Sequence, residues 1–579
     1  MKLRLTCIAA AVGAILLGSA SCVKINEELG GNFIPTKHKW DVFPCDAVAL
    51  DVTMERSDSL SGYSSSRFTF GSVKSGDFTS TKSCSFTLVP LADSLDFGED
   101  HQVLQFHFTA SRDTVSVPFD SQKEILQSMY AYDLKKPLDS TVLYTGVFPE
   151  QADEFVDFSS IIAFCTYNGG DSLSFDFSKS YAEKVIEGIK SFQQMEADRR
   201  DTLNNLLAHV PGIYMKTEQQ TTDGGRINMF NLPIDASDGY IDGNYAELKI
   251  RSKFDGSSEY TDTSYIFYFG PSEFLTDKST SYPPQYAFNA GIDTTPEDFL
   301  ENWKNGARTE LFVEGGSGLK PVVRASVIKE IVSALIEEHA EGINKEEVVI
   351  NKATIILPYN VGTDYEKLEK YPLILSPTVK LRSDNDKYVS YAGLTDSSIE
   401  SENHGNINRS LFMYRPDVSH HIQEIVKLEK GKGTDVDPNE TDADFEKRLS
   451  KYDIWFLIMH EEITKSSSSN SAYNDYYNNL LYNSYYNNMM YDPYGYGYGY
   501  GGYGGYGYGG YGYGSYGYNN YYNYLMMAQY ASASTSQSTT SSTELDKDRF
   551  YNAVLCGPGA GDGNVPRLEI TFSAPKKSE

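Results

Sequence analysis

The sequence predicts a mainly β protein with a few helices, in which two β-sandwich-like domains are accompanied by a disordered insertion. The β prediction rests on many short stretches in which apolar and polar residues alternate, separated by clusters of Gly, Ser and Asp. Only two long segments have an apolar period close to that of a helix. The insertion is predicted because residues 466–543 are mostly Tyr, Gly, Asn and Ser and carry almost no charge.

The first 22 residues have the order of a bacterial export signal that ends in a lipid-modified cysteine. Lys2 and Arg4 precede an apolar run, residues 5–17, which small residues separate from Cys22. The run is too short to span a bilayer, whereas acyl chains on one cysteine anchor a soluble domain stably. We therefore expect lipidation of Cys22. The alternative is an ordinary secretory signal with Cys22 as a disulfide partner. It is suggested by Ser19, because lipoprotein signals commonly have a branched apolar residue three positions before the cysteine.

The alternating stretches that predict strands begin soon after this signal. In residues 48–54 every second side chain is apolar, which is the period of a strand with one buried face. Similar stretches follow at residues 68–73, 83–89, 104–109, 239–249, 265–269, 347–357, 372–375, 454–459 and 568–572. Their spacing, and the turn residues between them, are typical of a sandwich or barrel.

Two segments are predicted to be helices that cover a core. Residues 181–209 carry apolar side chains at near-helical spacing, and Pro211 and Gly212 end that pattern. Residues 325–340 have a single apolar stripe. The polar face of each segment is poor in Lys and Arg, which favours a core-covering helix over one that lies on a membrane.

The predicted insertion is rich in tyrosine. Between Tyr473 and Tyr530 lie 22 of the chain's 44 tyrosines, interleaved first with Asn and then with Gly. Glycine raises backbone entropy and tyrosines at this spacing form no core face, so we expect a disordered loop. Such tyrosines could stack on sugars, on aromatic rings or on one another. The simpler interpretation, which we favour, is a repeat that has expanded in a tolerant surface hairpin loop.

Charge and cysteine content limit the partners and the redox chemistry. Without the signal, 48 Lys and Arg residues stand against 79 Asp and Glu residues. Such an acidic surface repels phosphate groups, so we expect no nucleic acid partner, and membrane attachment through the lipid rather than through a basic patch. The remaining cysteines could form two disulfides in any of three pairings or stay isolated; they are Cys45, Cys84, Cys165 and Cys556.

No histidine in the chain belongs to a complete metal-binding pattern. His420 and His421 are adjacent, so their side chains point to different sides, and we expect the start of a short helix capped by Asp417 or Ser419. His460 begins like a zincin motif but lacks the second histidine four residues later. The sequence therefore assigns no metal ligand.

Two further kinds of motif are also incomplete. Residues 315–320 lack the Gly-Lys-Ser/Thr end of a P-loop, and Ser317 lacks the following glycine of a nucleophile elbow, so we expect a turn with positive φ. The acid-rich segments 235–244 and 435–446 could hold calcium opportunistically but lack EF-hand spacing. A carboxylate pair for glycoside hydrolysis cannot be named, because its separation is a three-dimensional quantity. No catalytic, cofactor-binding or metal-binding residue is assigned.

Motifs at seven places along the mature chain support a family resemblance. They are residues 29–35, 70–86, 129–134, 314–319, 349–353, 419–425 and 566–572. In this order they resemble the Bacteroidetes surface lipoproteins grouped as domain of unknown function 4270, with the tyrosine-rich insertion as the main departure. Glu27 and Glu28, which follow Cys22, resemble the export signals of such lipoproteins. The resemblance implies a β-rich, lipid-anchored protein on the outer membrane, without established enzymatic activity, and in some members an accessory role in machines such as the barrel-assembly complex.

These observations lead to three hypotheses of function. The first is a non-enzymatic surface lipoprotein, anchored to the outer membrane through Cys22 and bound to an outer-membrane protein. The second is glycan capture, for which loss of glycan binding on deletion of residues 473–530 would be evidence. The third is a hydrolase with an unrecognised carboxylate pair.

The predicted organisation follows the chain in order. It consists of a lipoprotein signal peptide (1–21), a tether (22–39), an N-terminal β domain (40–180), a helical connection (181–210), a C-terminal β-rich domain (211–465), the low-complexity insertion (466–543) and closing strands (544–579).

Overall fold

A computed structural model describes the chain from Lys39 to Lys576. The description omits residues 58–59, 61, 65–66, 92–93, 114–124, 139–147, 196–202, 233, 238–239, 255, 270–286, 295–297, 363–367, 369–370, 383–388, 400–403, 434–435, 467–537, 548 and 562. The predicted signal peptide, Cys22 and nearly all of the tether lie outside the described residues, as does most of the predicted insertion.

The protein is mainly β: of the described residues, 48% lie in strands and 21% in helices, which confirms the predicted fold class. The strands before residue 240 are β1 (Trp40–Pro44), β2 (Val48–Ala49), β3 (Val52–Arg56), β4 (Tyr63–Ser64), β5 (Arg67–Ser75), β6 (Phe78–Phe86), β7 (Val89–Pro90), β8 (Glu99–Ser111), β9 (Gln127–Leu134), β10 (Val156–Tyr167), β11 (Ser172–Asp176), β12 (Ile213–Thr217), β13 (Gly224–Asn231) and β14 (Ile234–Ser237). Those that follow are β15 (Tyr240–Gly243), β16 (Tyr245–Lys253), β17 (Thr261–Tyr268), β18 (Ala287–Thr294), β19 (Glu310–Glu314), β20 (Leu319–Val323), β21 (Val349–Pro358), β22 (Ile374–Arg382), β23 (Val389–Gly393), β24 (Ile407–Asn408), β25 (Met413–Tyr414), β26 (Ile454–Ser466), β27 (Ser538–Leu545), β28 (Asn552–Cys556) and β29 (Arg567–Pro575).

The described helices are short. They are α1 (Phe148–Phe155), α2 (Lys179–Gln193), α3 (Leu203–His209), α4 (Phe299–Asn305), α5 (Ala325–His339), α6 (Thr395–Ile399), α7 (Ser419–Lys427) and α8 (Asp442–Leu449), with 3₁₀ turns at Lys345–Glu347 and Ser450–Tyr452. Among the described residues, no helix combines the length and apolar character that a bilayer-crossing helix needs.

Two large sheets enclose the smaller of the two main hydrophobic cores. One has the order β10–β9–β12–β6–β18–β4, with β5 joining β13 to β6, and the other has the order β11–β8–β16–β17–β7. Their apolar faces are buried together with one face of α2, as in a β-sandwich. Phenylalanine rings fill the centre: the centroid of Phe108 lies 4.7 Å from that of Phe269, and the centroid of Phe68 lies 5.0 Å from that of Phe86.

The larger core lies among two six-stranded sheets and the helices α5 and α7. These sheets have the orders β1–β29–β21–β25–β24, with β2 on β29, and β23–β22–β26–β20–β3, with β27 on β26. The apolar stripe of α5, which the sequence predicts, supplies Ile328, Val332 and Ile336 to this core. The remaining strands form the pairs β14–β15 and β19–β28.

The two cores do not divide at residues 181–210. Strands β12, β13, β16, β17 and β18 follow the predicted connection but complete the sheets of the smaller core. Strand β3, at the start of the chain, instead pairs with β20, so that Val52 lies opposite Val323 in the larger core. The difference arises because strand pairing is non-local, whereas the predicted boundary followed local composition.

The helical connection also differs in detail from its prediction. It forms two helices, α2 and α3, rather than one. The Ser178 side chain caps α2 by accepting a hydrogen bond from the backbone N–H of Tyr181. A Cβ atom on Gly188 would stand 2.8 Å from the carbonyl oxygen of His209, so this glycine permits the close approach of α2 to the end of α3.

The insertion begins and ends in one antiparallel ladder. Strands β26 and β27 pair throughout, from Met459 opposite Leu545 to Ser466 opposite Ser538. Residues 538–543, which the sequence assigned to the insertion, therefore belong to a strand. The remaining residues, 467–537, connect the two strands of a hairpin, as the interpretation of an expanded hairpin loop requires.

Candidate functional site

One surface of the eight-stranded sheet carries a group of aromatic side chains. We call it the aromatic face and define it as Tyr130, Tyr132, Phe158, Ile161 and Phe164. Pairing of β10 with β9 places Phe164 opposite Tyr130 and Ile161 opposite Tyr132. The neighbouring residues of β9, which alternate with the tyrosines, point into the smaller core. The aromatic face is therefore the opposite side of the same sheet.

Helix α1 covers only part of this side of the sheet. Its Phe148 ring packs on Tyr214 at 5.8 Å and on Phe288 at 5.0 Å between centroids. Phe164 remains 53% exposed and Ile161 48% exposed. Large apolar side chains that are exposed next to one another mark a binding surface more often than scattered ones do.

Charged and polar groups border the aromatic face. The ammonium of Lys216 lies 4.7 Å from the ring centroid of Phe158 and 5.4 Å from that of Tyr132. The Tyr130 hydroxyl donates a hydrogen bond of 3.2 Å to the carboxylate of Glu218. Burial, followed by the neighbouring Tyr130 and Glu218, raises the pKa of Tyr132, so its hydroxyl stays protonated. The face thus combines apolar rings with donors and acceptors at its margin.

Strand β10, which carries Phe164, lies at the end of the eight-stranded sheet. Among the described strands of that sheet only β9 pairs with it. Its register shifts between Asp157 and Ile161 and again between Ile161 and Ala163. Bulges of this kind are frequent at sheet edges beside functional sites. The Ile162 carbonyl of β10 accepts a hydrogen bond of 2.7 Å from the Ser178 amide, so part of the strand is already bonded to the start of α2. Where no described strand pairs with an edge, it can accept an additional strand from a partner.

A separate cleft of about 430 Å³ lies beside α4. The side chains that line it include Asp298, Asn302, Trp303, Arg308 and Glu310. The guanidinium of Arg308 stands 4.8 Å from the centroid of the Trp303 ring. The Trp303 indole N–H donates a hydrogen bond of 2.6 Å to the backbone carbonyl of Glu310. These contacts hold the indole in place from two directions.

The cleft depends on an unusual backbone conformation at Arg308, where φ is 53°. The guanidinium is held by the Asp51 carboxylate at 2.5 Å and the Val52 carbonyl at 2.8 Å, while its buried Nε–H has no hydrogen-bond partner. A Cβ on Gly559 would lie 1.8 Å from the Ala307 carbonyl oxygen, so the facing loop must have glycine there. Aromatic, amide, carboxylate and guanidinium groups in one cleft suit a ligand rich in hydroxyl groups.

The turn at residues 315–318 is the centre of a buried charge cluster rather than a phosphate site. Gly316 has φ of 56°, which confirms the predicted positive-φ turn. A Cβ atom added at Gly316 would lie 2.3 Å from the Lys82 ammonium, so the turn leaves no room for a side chain there. The Asp293 carboxylate accepts hydrogen bonds from the Ser317 amide at 2.7 Å and from the Ser80 hydroxyl at 2.5 Å, and it pairs with Lys82 at 3.3 Å.

A second buried lysine and a second buried acid lie beside this ion pair and complete the buried charge cluster. The Lys320 ammonium donates a hydrogen bond of 2.5 Å to the backbone carbonyl of Glu314. One side-chain carboxylate oxygen of Glu314 accepts a hydrogen bond of 2.8 Å from the Leu319 amide. Burial raises the pKa of Glu314 to about 7 and lowers the pKa of Lys320 to about 8. Burial also opposes ionisation of Asp293, but Lys82, Ser80 and Lys320 together keep its pKa below the ordinary value. Because these charged groups bind one another inside the protein, we assign them a structural role rather than a ligand-binding one.

The paired histidines are structural. The backbone N–H groups of His420 and His421 donate 2.6 and 3.1 Å to the two carboxylate oxygens of Asp396, so Asp396 caps α7. Asp417, one of the predicted caps, accepts hydrogen bonds from the Ser419 amide at 3.0 Å and from the Ser419 hydroxyl at 2.6 Å. The His421 ring is buried and donates to the Tyr452 carbonyl at 2.8 Å, and burial lowers its pKa to about 4, so it is neutral.

The other candidate metal ligands are also dispersed. His460 lies on strand β26, whereas a zincin motif requires a helix. The acid-rich segment 235–244 forms the hairpin of β14 and β15. In the other acid-rich segment, Glu440 pairs with Arg448 at 2.8 Å, and that contact is the main cause of a pKa lowered to about 2. Within the described residues no three His, Cys, Asp or Glu side chains converge as a metal site.

The sequence left open whether the cysteines form disulfides or stay isolated. In the structure no disulfide joins Cys45, Cys84, Cys165 or Cys556 to another of them. Burial raises the pKa of Cys165 to about 11 and is also the main cause of the raised pKa of Cys45 and Cys556. Such thiols are poor nucleophiles at neutral pH. Lipidation of Cys22 stays a prediction, because that residue lies outside the described part of the chain.

Sequence reasoning missed both the aromatic face and the cleft. The alternation of Tyr130 and Tyr132 with small or buried residues was a usable signal, since it places both rings on one side of a strand. Trp303 and Arg308 gave no comparable signal, because their pairing depends on the backbone turn between them.

Comparisons of the chain with models of protein families, with curated proteins and with solved structures found no match. The resemblance to the surface lipoprotein family therefore rests on its sequence motifs alone.

The raised pKa of Glu314 predicts a pH-dependent stability. Between its ordinary pKa of 4.5 and about 7 the folded protein keeps the proton that the unfolded chain releases. The contribution of Glu314 to the free energy of unfolding should therefore fall by roughly 3 kcal/mol as the pH rises through this range, while buried neutral His421 contributes in the opposite direction between about pH 4 and 6.5. Comparison of variants at each pH separates the two contributions. Glu314→Gln should remove most of that fall, as measured by urea unfolding across the range. Glu310→Gln, an exposed acid on the same strand, should retain it; equal slopes for the two variants would contradict the assignment.

Proposed function

We propose that this protein is a lipid-anchored lipoprotein of the outer-membrane surface that binds or scaffolds a protein of an outer-membrane complex such as the barrel-assembly machinery. It acts without catalysis. The signal-like N-terminus and Cys22 support the anchor, and the aromatic face supports the binding role. That face is the observation that carries the proposal, because it places exposed Phe164 and Ile161 on the outermost described strand of its sheet.

The chemistry of the aromatic face favours a protein partner. Exposed aromatic rings supply large apolar contact area at a low cost in side-chain entropy, which is the usual character of interface hot spots. Lys216 and Glu218 at its margin provide polar contacts that fix the orientation of a partner. Along the part of β10 that no described strand covers, backbone groups are present that an extended segment could pair with.

A second candidate function is glycan capture at the α4 cleft. It is favoured by the combination of Trp303 with Asn302 and Asp298, whose side chains are joined by a hydrogen bond of 2.8 Å. Sugar hydroxyls require such donors and acceptors, and the apolar faces of sugars stack on an indole.

The anchoring part of the proposal predicts a change of compartment. In cells that express Cys22→Ala, the protein should move from the membrane fraction to the soluble fraction after membranes are sedimented, because no acyl chain is attached. Substitution of Cys45, which follows the tether, is the control and should leave the protein with the membrane. Full membrane retention of Cys22→Ala would refute the anchor.

The binding part predicts a loss of partners. Mild-detergent purification of a C-terminally tagged protein, followed by mass spectrometry, should recover an outer-membrane protein in stoichiometric amount. Phe164→Ser together with Ile161→Ser should reduce this recovery at least about tenfold, since hot-spot side chains contribute roughly 2 kcal/mol or more. Leu411→Ser is matched in exposure, at 55% against 53% for Phe164, and should have no effect. Undiminished recovery with the double variant would exclude the aromatic face.

The glycan candidate predicts a different result on a glycan array. Binding to a soluble glycan should weaken by about tenfold in Trp303→Phe combined with Asn302→Ala, because stacking area and a hydrogen bond are lost. Trp40→Phe alters another exposed tryptophan and should bind like the unmodified protein. Glycan binding that survives the cleft substitutions would place the sugar elsewhere, and an array without binding would remove this candidate.

A further inference from the structure

The outer face of the sheet formed by β1, β29 and β21 exposes apolar side chains at one end. The register places Val42 opposite Ser573 and Ser573 opposite Val349, while Trp40 lies opposite Pro575. Val42 is 59% exposed, and Trp40 and Val349 are each 46% exposed. We call this end of the sheet the anchor-side face and define it by Trp40, Val42 and Val349.

These side chains are not needed for the hydrophobic core. The core-facing residue of β1 is Phe43, whose ring lies 5.2 Å from that of Phe572 and 6.3 Å from the imidazole of His339 on α5. Trp40 and Val42 alternate with Phe43 and point to the other side of the strand. Their apolar character therefore contributes nothing to the larger core.

One lysine lies on the same side of the sheet as the anchor-side face, although the chain as a whole is strongly acidic. Lys352 is exposed on β21 and lies opposite Thr571, on the side that carries Val42. Lys39 and Lys576 meet at the end of the sheet through a backbone hydrogen bond of 2.8 Å, where they alternate with Trp40 and Pro575, as Asp41 does with Trp40 and Val42. Along the outward side of β1, β29 and β21, the single acidic side chain among the described residues is Glu569, and Arg415 neutralises it at 2.6 Å.

The anchor-side face also lies where the chain leaves the predicted anchor. Seventeen residues, 23–39, separate Cys22 from Trp40. Such a stretch spans at most about 60 Å even when fully extended. A lipid on Cys22 would therefore keep Trp40 within that distance of the bilayer.

We propose that the anchor-side face lies on a phospholipid bilayer that contains anionic headgroups. Trp40 enters the interfacial region, where tryptophan is favoured, and Val42 and Val349 bury apolar area beside it. Lys352, which shares this face, contacts the headgroups and contributes about fivefold in affinity. The lipid alone would hold the protein near the membrane in any orientation. The anchor-side face brings the folded domain into direct contact with the bilayer. The physiological importance of this contact rests on the lipid anchor of the proposed function. The contact itself does not require the anchor.

The test uses the mature chain, residues 22–579, with Cys22→Ala, so that neither an acyl chain nor the apolar run of residues 5–17 takes part. It should sediment with vesicles of phosphatidylcholine and phosphatidylglycerol but much less with vesicles of phosphatidylcholine alone, and salt should weaken the binding. Trp40→Ser combined with Val42→Ser should reduce the bound fraction at subsaturating lipid by about tenfold. Leu373→Ser is the matched control, because Leu373 and Val42 are both 59% exposed, and it should bind normally.

Three results would overturn the proposal: no sedimentation of Cys22→Ala with anionic vesicles, no effect of the double substitution, or equal losses in the double variant and in Leu373→Ser. Circular dichroism of each variant establishes that it is folded. Because these vesicle measurements involve no acyl chain, they are independent of whether Cys22 is lipidated in cells, and fractionation of Cys22→Ala answers that question separately.

Discussion

The buried charge cluster at the turn of residues 315–318 is the contact on which the arrangement of the two cores depends. Lys82 and Asp293 belong to strands β6 and β18, which border the smaller core, whereas Glu314 and Lys320 belong to β19 and β20 of the larger one. A buried ion pair gives little net stability compared with apolar side chains, but removal of one partner leaves an uncompensated charge. The cluster therefore selects one arrangement, because any displacement of the turn would separate the charges.

The same turn explains why glycine and serine occur together there. A side chain at Gly315 would meet the Arg549 carbonyl oxygen at 2.1 Å, and Gly316 has the positive φ that brings the Ser317 amide to Asp293. The segment from β3 joins the cluster as well, since the Ser57 hydroxyl donates 3.1 Å to the Gly316 carbonyl. A motif that resembles a nucleotide-binding loop thus meets a structural requirement, in which a carboxylate takes the place that a phosphate would occupy.

Much of the fold could be predicted from sequence where the signal is local. The apolar stripe of α5 and the alternation in β8 depend on neighbouring residues, and both elements were located correctly. The pairing of β1 and β3 with strands hundreds of residues later could not be predicted, because alternation identifies a strand but not its partner. For the same reason the cleft was missed: Arg308 is held by Asp51 and Val52, which are distant in sequence.

The order of the strands also explains why a long insertion is tolerated. Strands β26 and β27 pair in one antiparallel ladder, and β26 is held independently by β22 and β20. The hairpin therefore does not rely on a tight turn for its register. The entropy of closing a loop grows only with the logarithm of its length, so that doubling the loop costs roughly 0.6 kcal/mol. Residues 467–537 could therefore lengthen at little cost to stability, whereas an insertion in the turn of residues 315–318 would separate the charges that join the two cores.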